Sequence, residues 1–331
     1  MSTDRVMIHV DRLQKTYGGT RNAVDQISFD VHNGEVLGFL GPNGAGKTST
    51  MKMLTSFLAP TGGRAEIAGY DAYTQSVEVR RRIGYLPEDT PLYKDMTVYE
   101  YLGFACEVRE INKSERHKRI KHTVEQCGLG DRVGYLIGEL SKGYRQRVGL
   151  AQAIIHAPEV LILDEPTSGL DPNQIVEIRQ VIKDIGKEKT VIFSTHILQE
   201  VQATCSRVII IADGKIAADG SPDELSRKAS GQTEILVEVG GSRGDATAPK
   251  DLMLMLDGID HIDVLGREGS GGTRFRVVAK KGADPRADIG KVLGTATDME
   301  LLQLTPERAS LEDVFRKLTM TAAPAPAREK V

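Results

Sequence analysis

Cysteine is scarce in this chain of 331 residues: Cys106, Cys127 and Cys205 are the only three, and they stand far apart. An odd, scattered set has neither the spacing of a zinc site nor the pairing of a disulfide framework, and it fits a reducing compartment. Long apolar runs are missing as well. None approaches the roughly 18–20 residues that a membrane span needs, and the start, MSTDRVMIHV, lacks the basic-then-apolar order of a secretion leader. The expectation is a chain that does not itself cross a membrane, so that any membrane role comes through a partner. A dominant sign of charge is also lacking. Lys and Arg number 43 against 46 Asp and Glu, a formal net charge of −3, which creates no global field toward DNA or anionic lipid. No nucleic-acid partner is therefore expected, and the local run Arg80, Arg81, Arg82 reads as a solvated helix face.

What is present is the mixture of an ordinary globular protein, 40% hydrophobic and 27% charged. The length suits two domains, or one large domain with an appendage. MIHVDRL, NAVDQISFDV and EVLGFL alternate as strands do. A glycine-rich turn follows, then KTSTMKMLTSFL, which predicts a helix ending before Pro60. RAEIAGY is a further strand. The pattern is helical from Thr97 to about Arg132, and another helix opens at Ser141 and runs to Pro158. VLILDE, TVIFST and RVIIIA lack alternation, which marks parallel strands buried on both faces. The order predicts a doubly wound α/β core with a helical insertion over about 90–157. Past residue 230 the pattern becomes β-α-β-β-α-β, a small α+β domain over about 229–320, with mobile loops at GGSRGDATAP and REGSGG. A helix, SLEDVFRKLT, precedes AAPAPAREKV, whose composition predicts a disordered tail over 321–331.

Residues 41–48, GPNGAGKT, match G-x-x-x-x-G-K-T/S. Gly41, Gly44 and Gly46 let the chain wrap an anion with its N–H groups pointing inward, and the helix opening at Lys47 adds its positive end. Lys47 then reaches the β- and γ-phosphates, and the Thr48 hydroxyl takes Mg²⁺. Downstream, VLILDEP sets Asp164 and Glu165 at the C-terminal end of a buried strand, where open α/β sheets bind ligands. Alone, a DE pair merely ends a strand. Behind a phosphate loop, Asp164 suits a metal and Glu165 suits a water to be oriented or deprotonated. TVIFSTH ends in His196. Spacing leaves open whether its ring reaches the γ-phosphate or is simply solvated.

In this order the residues resemble the ATP-binding cassette (ABC) family over roughly residues 5–228. TYGG supplies Tyr17 in the place of the adenine-stacking aromatic. GPNGAGKTST, from Gly41 through Pro42, Asn43, Gly44, Ala45, Gly46, Lys47 and Thr48 to Ser49 and beyond, corresponds to the Walker A loop. GYLPED corresponds to the loop joining core and helical subdomain, LSKGYRQR to the signature, DEPTSGLD to Walker B and a D-loop ending at Asp171, and STH to the switch histidine. The resemblance implies a P-loop NTPase core with an antiparallel β subdomain, ATP and Mg²⁺ as cofactors, and catalysis by Lys47, Glu165 and His196. It also implies a head-to-tail pair of cassettes, a homodimer here, in which Ser141 and Gly143 of one copy cap the ATP held by the other. Ser141 suits a helix N-cap and Gly143 a phosphate-facing helix start.

Three positions depart from the family pattern. Lys142 replaces a usual Gly, Tyr144 a usual Gln, and Glu88 a usual Gln. Lys142 adds cationic charge near an anion, Tyr144 loses an amide that can bond across the dimer, and Glu88 can hold Mg²⁺ but brings negative charge toward the triphosphate. GYLPED, LSKGYRQR and the late SLEDVF are similar to cassettes of bacterial exporters for drugs, sodium or polysaccharide and to the gliding-motility-associated group. Those imply a separate permease of about six helices and a place at the cytoplasmic face of the cell membrane. An ATPase of translation or DNA repair is the alternative. Such chains carry two cassettes, or coiled-coil or zinc-bearing insertions, whereas this one has a single Walker A, no sustained heptad and no CxxC. A nucleotide kinase is a third reading, which the signature segment argues against.

Overall fold

The computed structural model describes residues 5–19, 21–229, 234–241, 246–267, 272–280, 282–296, 298–307 and 311–320. Two compact units emerge, one built on Met1–Pro222 together with the chain from Leu318, and the other on Asp223–Lys317. In the first, β1 (Val6–Tyr17) pairs antiparallel with β2 (Arg21–His32), and β3 (Val36–Leu40) runs through the glycine-rich turn into α1 (Lys47–Leu54). Next come β4 (Gly62–Ile67), β5 (Tyr70–Asp71), α2 (Ser76–Arg82) and β6 (Ile83–Leu86). Helices α3 (Val98–Val108), α4 (Lys113–Gln126) and α5 (Lys142–Ile154) form the insertion. The core resumes with β7 (Val160–Asp164), α6 (Pro172–Gly186), β8 (Thr190–Thr195), α7 (Leu198–Thr204), β9 (Arg207–Ala212) and β10 (Lys215–Gly220).

Two sheets follow from these strands. β2-β1-β4-β5 is antiparallel, and the six-stranded sheet has the order β10-β9-β3-β8-β7-β6, parallel from β9 to β6. Every residue of β7 and β8 is buried, which explains their unbroken apolar runs: helices cover both faces of a parallel sheet. Burying each Val, Leu or Ile contributes about 1.5–3 kcal/mol, so these strands form a stiff platform. One apolar cluster joins the antiparallel sheet to the near face of the platform through Phe29, Phe39 and Met51, and a second joins its other face to the insertion through Leu102, Leu150 and Phe193.

The second unit contains α8 (Pro222–Ala229) from Asp223, β11 (Glu234–Gly240), α9 (Thr247–Leu254), β12 (Ile259–Arg267), β13 (Thr273–Ala279), α10 (Arg286–Thr295), β14 (Glu300–Glu307) and α11 (Leu311–Met320) as far as Lys317. Its sheet order, β12-β13-β11-β14, is fully antiparallel. This is a split βαβ arrangement around a core of Ile235, Val237, Met253, Phe275 and Leu293. The expected 321–331 tail and much of the two expected loops lie outside the described residues.

Some element boundaries differ from the sequence reading. The helix expected to approach Pro60 stops at Leu54, because Ser56 enters the left-handed region at φ 59°. The N–H groups of Phe57 and Leu58 then close on the Lys52 carbonyl, a left-handed cap made without glycine. The strand read through RAEIAGY breaks at Ala68 and Gly69, both at positive φ, into a two-residue hairpin turn. GYLPED is loop only from Pro87; Gly84, Tyr85 and Leu86 lie in β6, beside β7.

Candidate functional site

Strand order builds the site. β8 lies between β3 and β7, so three C-terminal strand ends stand side by side: the phosphate loop after Leu40, His196 after Thr195, and Asp164–Glu165 closing β7. Gly46, at φ 107°, precedes α1, and a Cβ there would come within 2.3 Å of the Ala23 carbonyl oxygen. Only glycine fits, and the loop is thereby fixed against β2. The buried Lys47 ammonium donates to the carbonyls of Gly41 at 2.7 Å and Pro42 at 3.2 Å, and lies 3.2 Å from Glu165 Oε1. Ala45 is buried behind the loop.

Glu165 is buried and held at both oxygens. His196 Nδ1 lies 2.9 Å from Oε2, opposite Lys47 at Oε1. Its backbone sits at φ 48°, with its N–H donating to Ser194 Oγ at 3.0 Å. Asp164 Oδ1 accepts from Ser194 Oγ at 2.6 Å and from Thr48 Oγ1 at 3.3 Å. Its Oδ2 is buried with no partner among the described residues. Burial holds the Asp164 carboxyl above the usual range, against the two hydroxyl hydrogen bonds that favour its ionised form. An orphaned carboxylate oxygen beside a threonine hydroxyl is a fitting pair of hard donors for Mg²⁺, which takes few protein ligands and fills the rest with water and phosphate.

A cavity of about 620 Å³ opens over the loop, lined by Tyr17, Asn43, Gly44, Gly46, Lys47, Thr48, Ser49, Glu88, Glu165, Ser168 and His196. Tyr17 is half exposed, with its hydroxyl 3.3 Å from Ser49 Oγ and the Lys15 ammonium 5.6 Å from the ring centre. Thr48 and Glu88 also line a neighbouring groove of about 740 Å³, onto which Asp164 opens. The three oxygen donors read as metal ligands thus line one groove.

Ser141, Gly143 and Asp171 are absent from both linings. Ser141 caps α5, its Oγ accepting from the Tyr144 N–H at 3.4 Å. Gly143 is buried against Gln174, where an added Cβ would come within 2.7 Å of the side chain. Asp171 caps α6 by accepting from the Gln174 N–H at 2.9 Å. The Lys142 ammonium reaches back onto Gly169, in the turn after β7. Tyr144 is half buried, its ring flanked by the guanidinium groups of Arg132 and Arg147. Signature and D-loop segments are therefore packed on one another, at a place separate from the phosphate loop of the same chain.

Two supporting residues escaped the sequence reading. Ser194 bonds both Asp164 and the Glu165 N–H. Glu200, fully buried, accepts from Thr167 at 2.5 Å and Thr195 at 2.7 Å, tying the turn after β7 to the end of β8. Ser194 lies two residues before His196 in TVIFSTH, and that hydroxyl so close to the histidine was the available signal. A lone glutamate on a short helix gave none.

The ABC transporter family model matches residues 24–168. Two curated relatives span nearly the whole chain. The bacitracin transport ATP-binding protein BcrA of Bacillus licheniformis is 34% identical over 314 residues, 94% of this chain and 97% of its own length. The linearmycin resistance ATP-binding protein LnrL of Bacillus subtilis is 31% identical over 315 residues, 95% of this chain and 98% of its own. Among solved structures, cbiO1 of Clostridium perfringens, part of the ABC transporter complex cbiONQ, matches with a TM-score of 0.62 at 28% identity over 69% of this chain and 95% of its own. The dimeric bacterial ABC transporter cassette MJ0796 matches at 0.59 and 25%, over 65% and 98%.

Proposed function

Because the chain belongs to the ATP-binding proteins of ABC transporters, we propose that it binds and hydrolyses ATP to drive a separate membrane permease, in the manner of an exporter. The observation that supports the site assignment is the meeting of Lys47, Glu165 and His196 around one cavity, with an unpaired Asp164 oxygen beside it. Tyr17 stacks on adenine, and the loop from Gly41 to Ser49 wraps the phosphates. Thr48, Asp164 and Glu88 hold Mg²⁺, which when bound neutralises phosphate charge. Glu165 takes up a proton from, or orients, the attacking water while His196 holds its second oxygen. Positioning and charge stabilisation carry most of phosphoryl transfer. A second copy supplies Ser141 and Gly143 to the γ-phosphate, and Asp171 links the two sites.

Residues 1–228 form the cassette, with its helical subdomain over about 90–157, and residues 229–320 form an accessory domain. The partner is a permease of about six helices, which places the cassette at the cytoplasmic face of the membrane. No helix among the described residues is long and apolar enough to cross a membrane. Names such as bacitracin transport and linearmycin resistance support export, and the alternative role in translation or DNA repair is not favoured. The test is co-purification from detergent-solubilised membranes. The tagged chain is expected to retain a polytopic membrane protein and to hydrolyse MgATP; recovery only with ribosomes or DNA overturns the reading.

Glu88 yields a separate expectation. Glu88→Gln removes a negative charge near the triphosphate and one metal-ligand candidate. The Mg²⁺ concentration for half-maximal ATPase is expected to shift by a few-fold to about tenfold. Unchanged rate, Mg²⁺ dependence and transport would remove any special role for the carboxylate.

A further inference from the structure

A second orphaned oxygen stands near Asp164. Tyr85 Oη, like Asp164 Oδ2, is buried with no hydrogen-bond partner among the described residues. Buried tyrosine hydroxyls normally find a partner, because leaving one unmet forfeits its hydration. Strand geometry relates the two oxygens. β6 runs parallel to β7 with Tyr85 opposite Ile162, and Asp164 follows two residues on. Side chains alternate along a strand, so Tyr85, Ile162 and Asp164 share one face of the sheet. The packing agrees. Tyr85 and Ile162 belong to the apolar cluster around Met51 of α1, whereas Leu86, Leu161 and Leu163 belong to the cluster on the other face. One strand across and two residues along separates the α-carbons by about 8 Å, a span that a tyrosine side chain largely covers.

Both residues also line the groove of about 740 Å³, together with Thr48 and Glu88. Thr48 and Ser194 already occupy Asp164 Oδ1, which leaves Oδ2 for a ligand. Tyr85 Oη and Asp164 Oδ2 do not reach each other directly. Burial first, and then the Asp164 charge, push the pKa of the phenol up, so it keeps its proton and can donate. A donor and an acceptor, each unmet, therefore face one space. One water that accepts from Tyr85 Oη and donates to Asp164 Oδ2 satisfies both.

We propose that Tyr85 is a positioning residue for the metal, its hydroxyl holding Asp164 Oδ2 through one water in the orientation that a divalent cation requires. The proposal rests on the reading of Asp164 and Thr48 as the residues that hold Mg²⁺. A carboxylate oxygen accepts in two directions. The water takes one of them and leaves the other to the metal, as outer hydrogen bonds do for ligating carboxylates elsewhere. Without the hydroxyl, Asp164 is anchored through Oδ1 alone.

The test uses Tyr85→Phe in the full chain, which removes Oη and keeps the ring in its cluster. Mn²⁺ is the probe, and its binding to the protein loaded with ADP is read by electron paramagnetic resonance, with no turnover involved. The Mn²⁺ dissociation constant is expected to rise about tenfold, the lower end of the losses seen when a partner of a metal ligand is removed. ADP affinity in EDTA is expected to be unchanged, and the melting temperature in EDTA to stay within about 2 °C of the wild type. A Mn²⁺ dissociation constant within about twofold of the wild type overturns the proposal. So does a rise matched by an equal loss of ADP affinity in EDTA, or by a fall in melting temperature beyond about 2 °C, either of which assigns the hydroxyl to the packing of the site as a whole. If the wild type with ADP takes up no Mn²⁺, the metal reading of Asp164 and Thr48 itself fails, and the proposal falls with it.

Discussion

Glu165→Gln is expected to lower ATP turnover by about 10²–10⁴-fold, the range for losing a general base, while trapping a dimer in the presence of MgATP. The geometry explains why binding survives when turnover does not. Lys47 keeps two carbonyl acceptors, Gly41 and Pro42, after the carboxylate is neutralised, so the loop retains its shape. The amide still fills the buried position between Lys47 and His196, but it no longer accepts a proton. A buried negative charge next to a triphosphate also disappears, so ATP is held more tightly. Gel filtration is expected to show a species of about twice the monomer mass with MgATP and a monomer without it. A turnover within a few-fold of wild type would remove Glu165 from the chemistry, and a variant that stays monomeric with ATP would count against the dimer mechanism.

The same residues show which parts of the fold are legible in sequence. Local chemistry is legible. Gly46 reads as a turn residue because only glycine tolerates φ 107° against the Ala23 carbonyl, and VLILD reads as a central strand because both its faces are covered. Pairing between distant segments is not. Nothing in TVIFSTH states that its strand inserts between β3 and β7, yet that insertion alone carries His196 to Glu165. Spacing therefore left the histidine undecided, and left the Ser194 and Glu200 contacts out of view. Helix ends fail for another reason. Thr55 and Ser56 carry no glycine signal, and the left-handed turn at Ser56 that ends α1 is visible only in three dimensions. At the signature, Lys142 reads as a charge for an incoming anion but lies on Gly169 of its own chain. A lysine's long stem lets tertiary packing decide where its charge rests.

The segregation of Ser141 and Gly143 from the cavity over Lys47 sets up the second large effect. Lys47→Ala removes the buried ammonium proposed to meet the phosphates. Gly143→Glu must displace Gln174 and brings a carboxylate toward any phosphate that approaches the start of α5. Each variant alone is expected to lose ATPase by about 10²–10³-fold, comparable to removing an essential stabilising donor. Mixed together, they are expected to recover. In a head-to-tail pair, the mixed dimer joins the intact loop of the Gly143→Glu chain to the intact signature of the Lys47→Ala chain. One composite site is then whole and the other doubly broken. Random pairing makes half the dimers mixed, so about a quarter of the wild-type sites return. ATP retained by the dimer is measured alongside turnover, because one whole site can close on ATP even if hydrolysis requires both. If both readouts stay at the level of the separate variants, Ser141 and Gly143 do not serve the site of a second copy. A site completed within one chain predicts that outcome, since each chain then carries its own defect into every dimer.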